Sequence, residues 1–189
     1  DTQFELMDIQ ESTGTTFVIV THDQEEAMTV ASRVAVMDEG RLMQVATPAE
    51  IYEAPNSVYV ADFIGDVNII EGKAHQTGDK LQIDWAEGQP ALSATTDQNF
   101  DLGQTCYLAI RPEKIGISAD RPSGANVLQG EVLDIAYLGN ISTYHVKLPT
   151  GHVIKAQQAN TRRISRREFT WEDKVWITWT DTAAVVLNK

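Results

Sequence analysis

Gly130-Glu-Val-Leu-Asp-Ile-Ala-Tyr-Leu-Gly139, followed by Ile141-Ser-Thr-Tyr-His-Val-Lys-Leu148, sets the class of most of this chain. Both stretches are short and rich in β-branched and aromatic residues, which is typical of strands. Comparable runs, divided by clusters of Gly, Asp and Pro, cover 68–74, 80–85, 105–110, 152–157, 174–180 and 183–187. The pattern predicts a small all-β barrel or sandwich. We expect residues 90–101 to form a surface loop, and no internal repeat of fixed period is evident.

The first 65 residues alternate helix and strand signals instead. An opening helix with Phe4 and Met7 on one side is separated by Gly14 from the run Thr16 to Val20. That continuous β-branched and aromatic run predicts a strand buried on both faces. Because the period changes after Gly65, we expect two domains, 1–65 and 66–189.

Local signals predict the remaining elements of the first domain. Asp23 is suited to cap a helix that ends near residue 32. Two apolar runs on either side of Asp38-Glu39-Gly40 predict a β-hairpin, since glycine permits the positive φ of a tight turn. Thr47-Pro48-Ala49-Glu50 combines a cap, a proline at the first helical position and a capping glutamate, which marks a helix start.

Composition limits the classes of function. The 189 residues carry a formal net charge of −12, and nucleic-acid binding needs clustered Lys and Arg, so we expect no nucleic-acid partner. The basic group Arg162-Arg163 with Arg166-Arg167 is predicted to be a solvated loop, with a contact for an acidic surface as the alternative. The single Cys106 fits a reducing compartment and a buried position. No apolar run reaches the roughly 20 residues that a membrane helix needs.

A second stretch carries a resemblance to a known family. Thr16-Phe-Val-Ile-Val-Thr-His-Asp-Gln-Glu-Glu-Ala27 resembles the switch-histidine segment of ATP-binding-cassette ATPases, in which a buried strand delivers a histidine to the γ-phosphate. Arg33 to Val45, Thr47-Pro48 and Phe63-Ile64-Gly65 follow in the order of that family. The resemblance implies that residues 1–65 are the C-terminal part of a P-loop nucleotide-binding domain of α/β class. It also implies that His22 is the switch histidine, whose imidazole can hydrogen-bond a phosphate oxygen.

The other catalytic parts of that family are missing from the sequence. There is no Gly-x-x-x-x-Gly-Lys-[Ser/Thr] loop, no strand that ends in Asp-Glu and no Leu-Ser-Gly-Gly-Gln signature. By resemblance these parts lie N-terminal to Asp1, so we expect the chain to be the C-terminal portion of a longer ATPase. ATP and Mg²⁺ are then cofactors of the longer protein. This chain alone is expected to hold no metal or cofactor and to hydrolyse no ATP.

The β-rich remainder resembles the transport-associated regulatory domain, of oligonucleotide-binding-like barrel type, that follows the ATPase domain in many bacterial importers. The stretches that carry this resemblance are Ile110-Arg-Pro-Glu-Lys-Ile115 and 130–148. The putrescine and spermidine branch of the family is the most similar, on 109–115, 135–139, 144–146, Trp179 and 185–187. The resemblance implies that the domain packs on a twin or receives regulators. We take Arg111, Glu113, Tyr137 and Gly139 as candidates for regulatory or dimer contacts.

The same resemblance implies partners and a location. These are a second copy of the chain, membrane permease subunits bound through the ATPase domain, and, indirectly, a periplasmic binding protein. The place is the cytoplasmic side of the bacterial plasma membrane.

Two other functions stay open on the residues alone. The transported solute could be iron or a sugar, because those importers share the architecture. The chain could instead be a stand-alone module that binds a small ligand or a partner protein. An aromatic cage for a cationic polyamine would use Tyr107, Trp85, Trp171, Trp176 and Trp179. Barrel core and rim is the favoured interpretation of these aromatics, because Trp176 and Trp179 point to opposite faces of a strand.

Overall fold

The computed structural model describes residues 2–77, 80–161 and 168–189. The chain divides into two compact units, Asp1–Gly65 and Asp66–Lys189. We call them unit 1 and unit 2 and treat each by itself. The basic group at 162, 163, 166 and 167, predicted to be a solvated loop, lies outside the described residues.

Unit 1 combines short helices with one hairpin. Its elements are α1 (Thr2–Thr13), α2 (Gln24–Val30), β1 (Val34–Asp38), β2 (Arg41–Ala46), α3 (Pro48–Glu53) and α4 (Val58–Phe63). A small core of buried side chains joins the hairpin to α3 and α4: Val34, Val36, Ile51, Val60 and Ile64.

The local signals of unit 1 are confirmed. Thr47 and Glu50 form a capping box, in which the Thr47 N–H donates to Glu50 Oε2 at 2.9 Å and the Glu50 N–H donates to Thr47 Oγ1 at 3.3 Å. The hairpin turns at Glu39 and Gly40, both with positive φ (44° and 76°). This turn matches the right-handed twist of the flanking strands.

The predicted strand at 16–20 does not form. Residues 15–20 have no regular secondary structure, and Val18 and Val20 are 89% and 96% exposed. A strand buried on both faces depends on neighbouring strands to satisfy its backbone groups. Among the residues that the structure describes, no strand pairs with this segment, so its composition alone does not make a strand.

The described part of unit 2 consists of strands and loops with a 3-10 turn at Pro112–Lys114. Its strands are β3 (Asn68–Thr77), β4 (Lys80–Asp84), β5 (Leu92–Ala94), β6 (Thr105–Ile110), β7 (Gly116–Ser118), β8 (Asn126–Tyr137), β9 (Ile141–Lys147), β10 (Val153–Ala159), β11 (Lys174–Trp179) and β12 (Ala184–Leu187). They form two five-stranded antiparallel sheets, ordered β12-β6-β3-β4-β5 and β10-β9-β8-β11-β7.

The two sheets are built alike, although the sequence shows no repeat of fixed period. Strands β3, β4 and β5 form a meander with β6 on its other side, and β8, β9 and β10 form the same meander with β11 on its other side. We call β3–β7 the first repeat and β8–β12 the second repeat. The last strand of each repeat pairs with the other repeat, since β7 pairs with β11 and β12 pairs with β6. Both central strands begin Asn-x-x-x-Gly, at Asn68-Gly72 and Asn126-Gly130.

Matching hydrogen bonds support this correspondence. Ala74, two residues after Gly72, donates to Gln104 O at 2.8 Å and accepts from the Gly103 N–H at 2.8 Å. Val132, two residues after Gly130, donates to Asp173 O at 2.9 Å and accepts from the Glu172 N–H at 2.8 Å. In both repeats the central strand therefore hydrogen-bonds to the turn that precedes the adjacent strand, β6 in the first repeat and β11 in the second.

The edges of each sheet are brought together, which gives the barrel-like form that the sequence predicts. Strand β5 lies against β12, and β7 lies against β10. A backbone bond from the Thr95 N–H to Asp181 O, 2.8 Å long, fastens the first of these closures. Closing the edges removes unpaired strand groups that would otherwise pair with other chains.

Strand β5 also corrects the prediction of a plain surface loop at 90–101. Leu92, Ser93 and Ala94 are all buried and pair with β4. The run is only three residues long, so its strand signal is too short to detect from sequence. One hydrophobic core of side chains from both sheets, including Ile70, Leu108, Val146 and Ile177, fills unit 2.

Candidate functional site

His22 lies in the turn that connects the irregular segment 15–20 to α2, and its side chain is exposed. The turn is fixed on its C-terminal side. Thr21 Oγ1 accepts from the Asp23 N–H at 3.0 Å, and Asp23 Oδ1 accepts from the Glu26 N–H at 3.0 Å, which caps α2. Gln24, the first residue of α2, donates from its side-chain amide to Phe63 O in α4. The backbone that follows the imidazole is therefore held while the ring faces solvent.

An exposed imidazole of this kind has the chemistry that the sequence assigns to it. A neutral ring carries one donor and one acceptor nitrogen, and a protonated ring carries two donors, so either form can hydrogen-bond a phosphate oxygen. The structure does not test this role, and it stays a prediction.

The four candidates of unit 2 fall in two turns. Arg111 and Glu113 belong to the turn after β6, whereas Tyr137 and Gly139 lie where β8 turns into β9. Gly139 has a φ of +86°, a conformation that favours glycine. Glu113 is exposed, and Tyr137 is 52% exposed.

Arg111 differs from the other three because it is buried, with 5% of its surface exposed. Its Nη1 donates to Asp66 O at 3.1 Å. A buried guanidinium has little surface for a contact with another chain. The contact prediction therefore depends on Glu113, Tyr137 and Gly139.

Sequence reasoning missed an apolar group beside Tyr137. Four exposed side chains lie along the second half of β8, its turn and the loop before β11; we call them the β8 apolar group: Leu133, Tyr137, Leu138 and Trp171. The register between β8 and β9 shifts between Val132 and Asp134, which marks a β-bulge at Leu133. A bulge turns a side chain outward, and no pattern in the sequence identifies it.

Asp134 ties this bulge to the loop before β11. Its Oδ1 accepts from the Ile135 N–H at 2.8 Å and from the Trp171 indole N–H at 3.4 Å. These donors, the backbone N–H first, lower the pKa of Asp134 below its usual value because they stabilise the carboxylate.

The tryptophans have separate partners, as the core-and-rim interpretation requires. Trp85 is buried, donates to Pro90 O at 3.1 Å and meets the His152 ring edge-on at 5.3 Å. Trp179 is buried in the core. Trp176 is half-buried, with the Arg121 guanidinium 5.2 Å from its ring centre. The three rings thus pack in different surroundings.

Two absences among the described residues concern metal ions and membranes. Within 2–77, 80–161 and 168–189, no group of three or more His, Cys, Asp or Glu side chains is arranged to hold a metal ion. None of the helices in these ranges has the length and apolar character needed to cross a membrane.

Comparisons with known proteins relate the whole chain to one group of transporters. The chain is 44% identical over 189 residues to the putrescine transport ATP-binding protein PotG of Escherichia coli (strain K12), covering 98% of this chain and 50% of that protein. It is 42% identical to the spermidine/putrescine import ATP-binding protein PotA of Thermobifida fusca (strain YX), covering 98% of this chain and 48% of the relative. The chain thus spans about half the length of the curated relatives it matches.

Unit 2 has a family match and a structural neighbour of its own. The TOBE domain family matches residues 108–187. A crystal structure of the cytoplasmic molybdate-binding protein ModG aligns with a TM-score of 0.53 at 14% identity, covering 63% of this chain and 94% of that one. At that identity the likeness shows the fold alone, and it agrees with the curled sheets of unit 2.

Proposed function

We infer that this chain, which is homologous to the C-terminal part of the ATP-binding subunits of polyamine importers, is the C-terminal part of such a subunit. The complete subunit would couple energy to putrescine or spermidine uptake. The relatives confirm the resemblance predicted from the residues around His22 and from 110–115. The observation that carries the proposal is the extent of the match, since 98% of the chain aligns at 44% identity.

In this proposal unit 1 is the end of the nucleotide-binding domain. ATP and Mg²⁺ bind to the complete subunit, where His22 would contact the γ-phosphate. Phosphoryl transfer depends mainly on orientation and on stabilising charge, so one imidazole supplies only part of the catalysis. We therefore propose that the present chain alone hydrolyses no ATP.

The exposed apolar side chains of unit 1 support its assignment as one part of a larger nucleotide-binding domain. The segment Phe17 to Val20 is exposed although all four side chains are large and apolar, and so is Phe4 in α1. Soluble monomers rarely expose contiguous apolar surface of this kind. We propose that the rest of the nucleotide-binding domain covers this segment in the complete subunit.

The complete subunit would work on the cytoplasmic side of the plasma membrane with permease subunits, and indirectly with a periplasmic binding protein. The test is transport in proteoliposomes that contain the complete subunit, its permease and its binding protein. We expect ATP-dependent accumulation of radiolabelled putrescine or spermidine and little accumulation of an iron complex or a sugar.

Each alternative has its own outcome in that assay. Uptake of iron or sugar instead of polyamine would assign the subunit to another importer. Polyamine binding without ATP-dependent uptake would favour the stand-alone binding module.

We propose dimerisation as the role of unit 2, through the turn that contains Tyr137 and Gly139. The supporting observation is the β8 apolar group, in which Leu138 is 69% exposed next to Tyr137. An exposed tyrosine beside an exposed leucine in one turn is typical of protein contacts.

Sedimentation of the chain tests this role. The double variant Tyr137→Ser, Leu138→Ser should self-associate more weakly than the original chain, whereas Leu102→Ser, at an exposed leucine of another loop, should not. Equal association of the original chain, the double variant and the control would assign the contact elsewhere.

A further inference from the structure

The hydrogen bonds that hold the turn of His22 lie on its C-terminal side. Residues 15–20, which precede this turn, have no regular secondary structure. After the histidine, Thr21 Oγ1 accepts from the Asp23 N–H at 3.0 Å, and Asp23 caps α2 by accepting from the Glu26 N–H. The position of the imidazole therefore depends on where the first turn of α2 lies within unit 1.

Helix α2 buries little of its own surface. It has seven residues, and none of them is buried. Met28, together with Ala31 just after the helix, packs half-buried against the small core of unit 1. A helix this short is not stable by itself in water, so its place depends on contacts with other elements. Met28 lies one turn beyond Gln24, and the first turn of α2 therefore needs a contact of its own.

Gln24 supplies that contact. Its side-chain amide donates to Phe63 O, the carbonyl of the last residue of α4, across 39 positions of the chain. The last four carbonyls of a helix have no partner within the helix, so this oxygen is open to a side-chain donor. One hydrogen bond thus satisfies the end of α4 and ties the start of α2 to it.

Helix α4, which carries the acceptor, is itself held by several contacts. Val60 is fully buried in the core, and Ser57 caps the helix by accepting from the Val60 N–H at 3.3 Å. The Phe63 ring stacks on Tyr59 with ring centres 5.8 Å apart. The Tyr59 hydroxyl in turn donates to Met37 O in β1 at 3.4 Å. The start of α2 is therefore tied to a helix that is fixed to the hairpin.

We propose that Gln24 is a positioning residue for His22. It holds the first turn of α2 against α4, and the turn formed by Thr21 and Asp23 carries this restraint to the histidine. Gln24 acts only through the place of the imidazole and contacts no phosphate. A displacement of about 1 Å in a catalytic group can lower a rate by about a hundredfold. This inference rests on the role proposed above for His22.

The test removes the donor and keeps the length of the side chain. Gln24→Met is unbranched, favours helices and has no N–H to donate. The matched control is Glu25→Met, which places the same side chain at an exposed position of the same turn. A third variant, Gln24→Lys, restores a donor of similar reach.

ATP turnover of the complete subunit gives the first readout. We expect Gln24→Met to lower turnover about tenfold and to change nucleotide affinity much less, because the imidazole is displaced while the other phosphate-binding groups remain. Gln24→Lys should recover most of the turnover, and Glu25→Met should retain it. Equal turnover in Gln24→Met and Glu25→Met would overturn the proposal.

A double-mutant cycle shows whether Gln24 acts through the histidine. Once His22→Ala has removed the imidazole, adding Gln24→Met should lower turnover no further. A merely structural role would lower turnover in either background. A second loss of about tenfold on top of His22→Ala would therefore overturn the proposal.

Amide hydrogen exchange in the 189-residue chain gives a readout that needs no ATP. The Asp23 N–H should exchange about tenfold faster in Gln24→Met than in Glu25→Met, because the turn is no longer tied to α4. Amides of the β1–β2 hairpin should not change. Faster exchange with unchanged turnover in His22→Ala would retain the restraint and reject the proposed ATPase role of the histidine. Unchanged exchange in Gln24→Met would overturn the positioning role itself.

Discussion

His22 is the residue on which the proposed ATPase role depends most directly. The capped start of α2 and the hydrogen bond that Thr21 Oγ1 accepts from the Asp23 N–H hold the backbone that follows it, so the ring is positioned without being buried. Its contribution is expected in the transition state, where charge redistributes on the γ-phosphate.

In the complete subunit we expect His22→Ala to lower ATP turnover by about 10²-fold, the scale of losing one oriented hydrogen-bond donor in a transition state. Nucleotide affinity should change much less, because other groups of the complete subunit bind the phosphates. Steady-state turnover and equilibrium nucleotide binding separate the two effects. The control is His75→Ala, an exposed histidine of β3 near Asp84, and unchanged turnover in His22→Ala would remove the role from this residue.

The ion pair of Asp181 with Lys80 lies at the closure between β5 and β12 and should make the stability of unit 2 depend on pH. Its carboxylate accepts from Lys80, which is the main reason that its pKa lies below the usual value. A carboxyl whose folded pKa is lowered stabilises the fold above its unfolded pKa, and this stabilisation is lost as pH falls through the folded pKa. Part of the free energy of unfolding should therefore be lost below the usual carboxyl range.

Urea unfolding at pH 7 and at pH near 3 measures this effect. Asp181→Asn should make the acid-induced loss of stability smaller than in the original chain, and added salt should reduce the difference at pH 7 because the pair is partly exposed. The same acid-induced loss in both proteins would show that the pair does not contribute.

At the scale of elements, the central strands β3 and β8 depend on their glycines. A Cβ on Gly72 would meet Ile83 Cγ2 at 2.4 Å and Asp84 O at 2.9 Å, and a Cβ on Gly130 would meet Val146 Cγ1 at 2.5 Å and Lys147 O at 2.8 Å. In both repeats the partner strand crosses so closely that no side chain fits. The glycine of the Asn-x-x-x-Gly motif is thus required by packing, although a glycine in a strand is otherwise unfavourable.

We expect Gly130→Ala to destabilise unit 2 by about 1–3 kcal/mol, the usual cost of overpacking a core. Gly72→Ala should cost a similar amount, since its surroundings match. Alanine at Gln129, the exposed neighbour on β8, is the control and should leave stability nearly unchanged. Chemical denaturation gives the free energies, and a cost confined to one of the two glycines would contradict the equivalence of the repeats.

At the scale of the whole molecule, unit 1 and unit 2 differ in how much of their apolar surface is buried. Unit 2 encloses a large core, whereas α1 and residues 17–20 of unit 1 expose most of their large apolar side chains. We expect this exposed segment or α1 to add a contact to the self-association of the 189-residue chain, beside the one proposed for the Tyr137 turn of unit 2, most simply within a two-fold dimer.

Comparing the chain with residues 66–189 alone distinguishes this association from dimerisation through unit 2. Light scattering should show weaker association of the shorter protein. If the shorter protein is equally dimeric, the contact belongs to unit 2, and the exposed segment of unit 1 does not contribute.

The sequence by itself determined the features that depend on residues close together in the chain. The capping box at Thr47 and Glu50, the hairpin turn at Glu39-Gly40 and most strands of unit 2 are decided by neighbours a few positions apart. The residues around His22 likewise carry the resemblance to ATP-binding-cassette ATPases, and the similarity to the ATP-binding proteins PotG and PotA agrees with it.

Only the tertiary structure decided the features that depend on partners distant in the chain. The exchange of β7 and β12 between the sheets, the bulge at Leu133 and the pairing of β5 with β4 are set by contacts across the sheets. The run Phe17 to Val20 shows the same dependence, because its composition favours a strand but no strand within 2–77, 80–161 and 168–189 pairs with it. Local propensity is therefore realised in this chain only where a partner satisfies the backbone hydrogen bonds and buries the side chains.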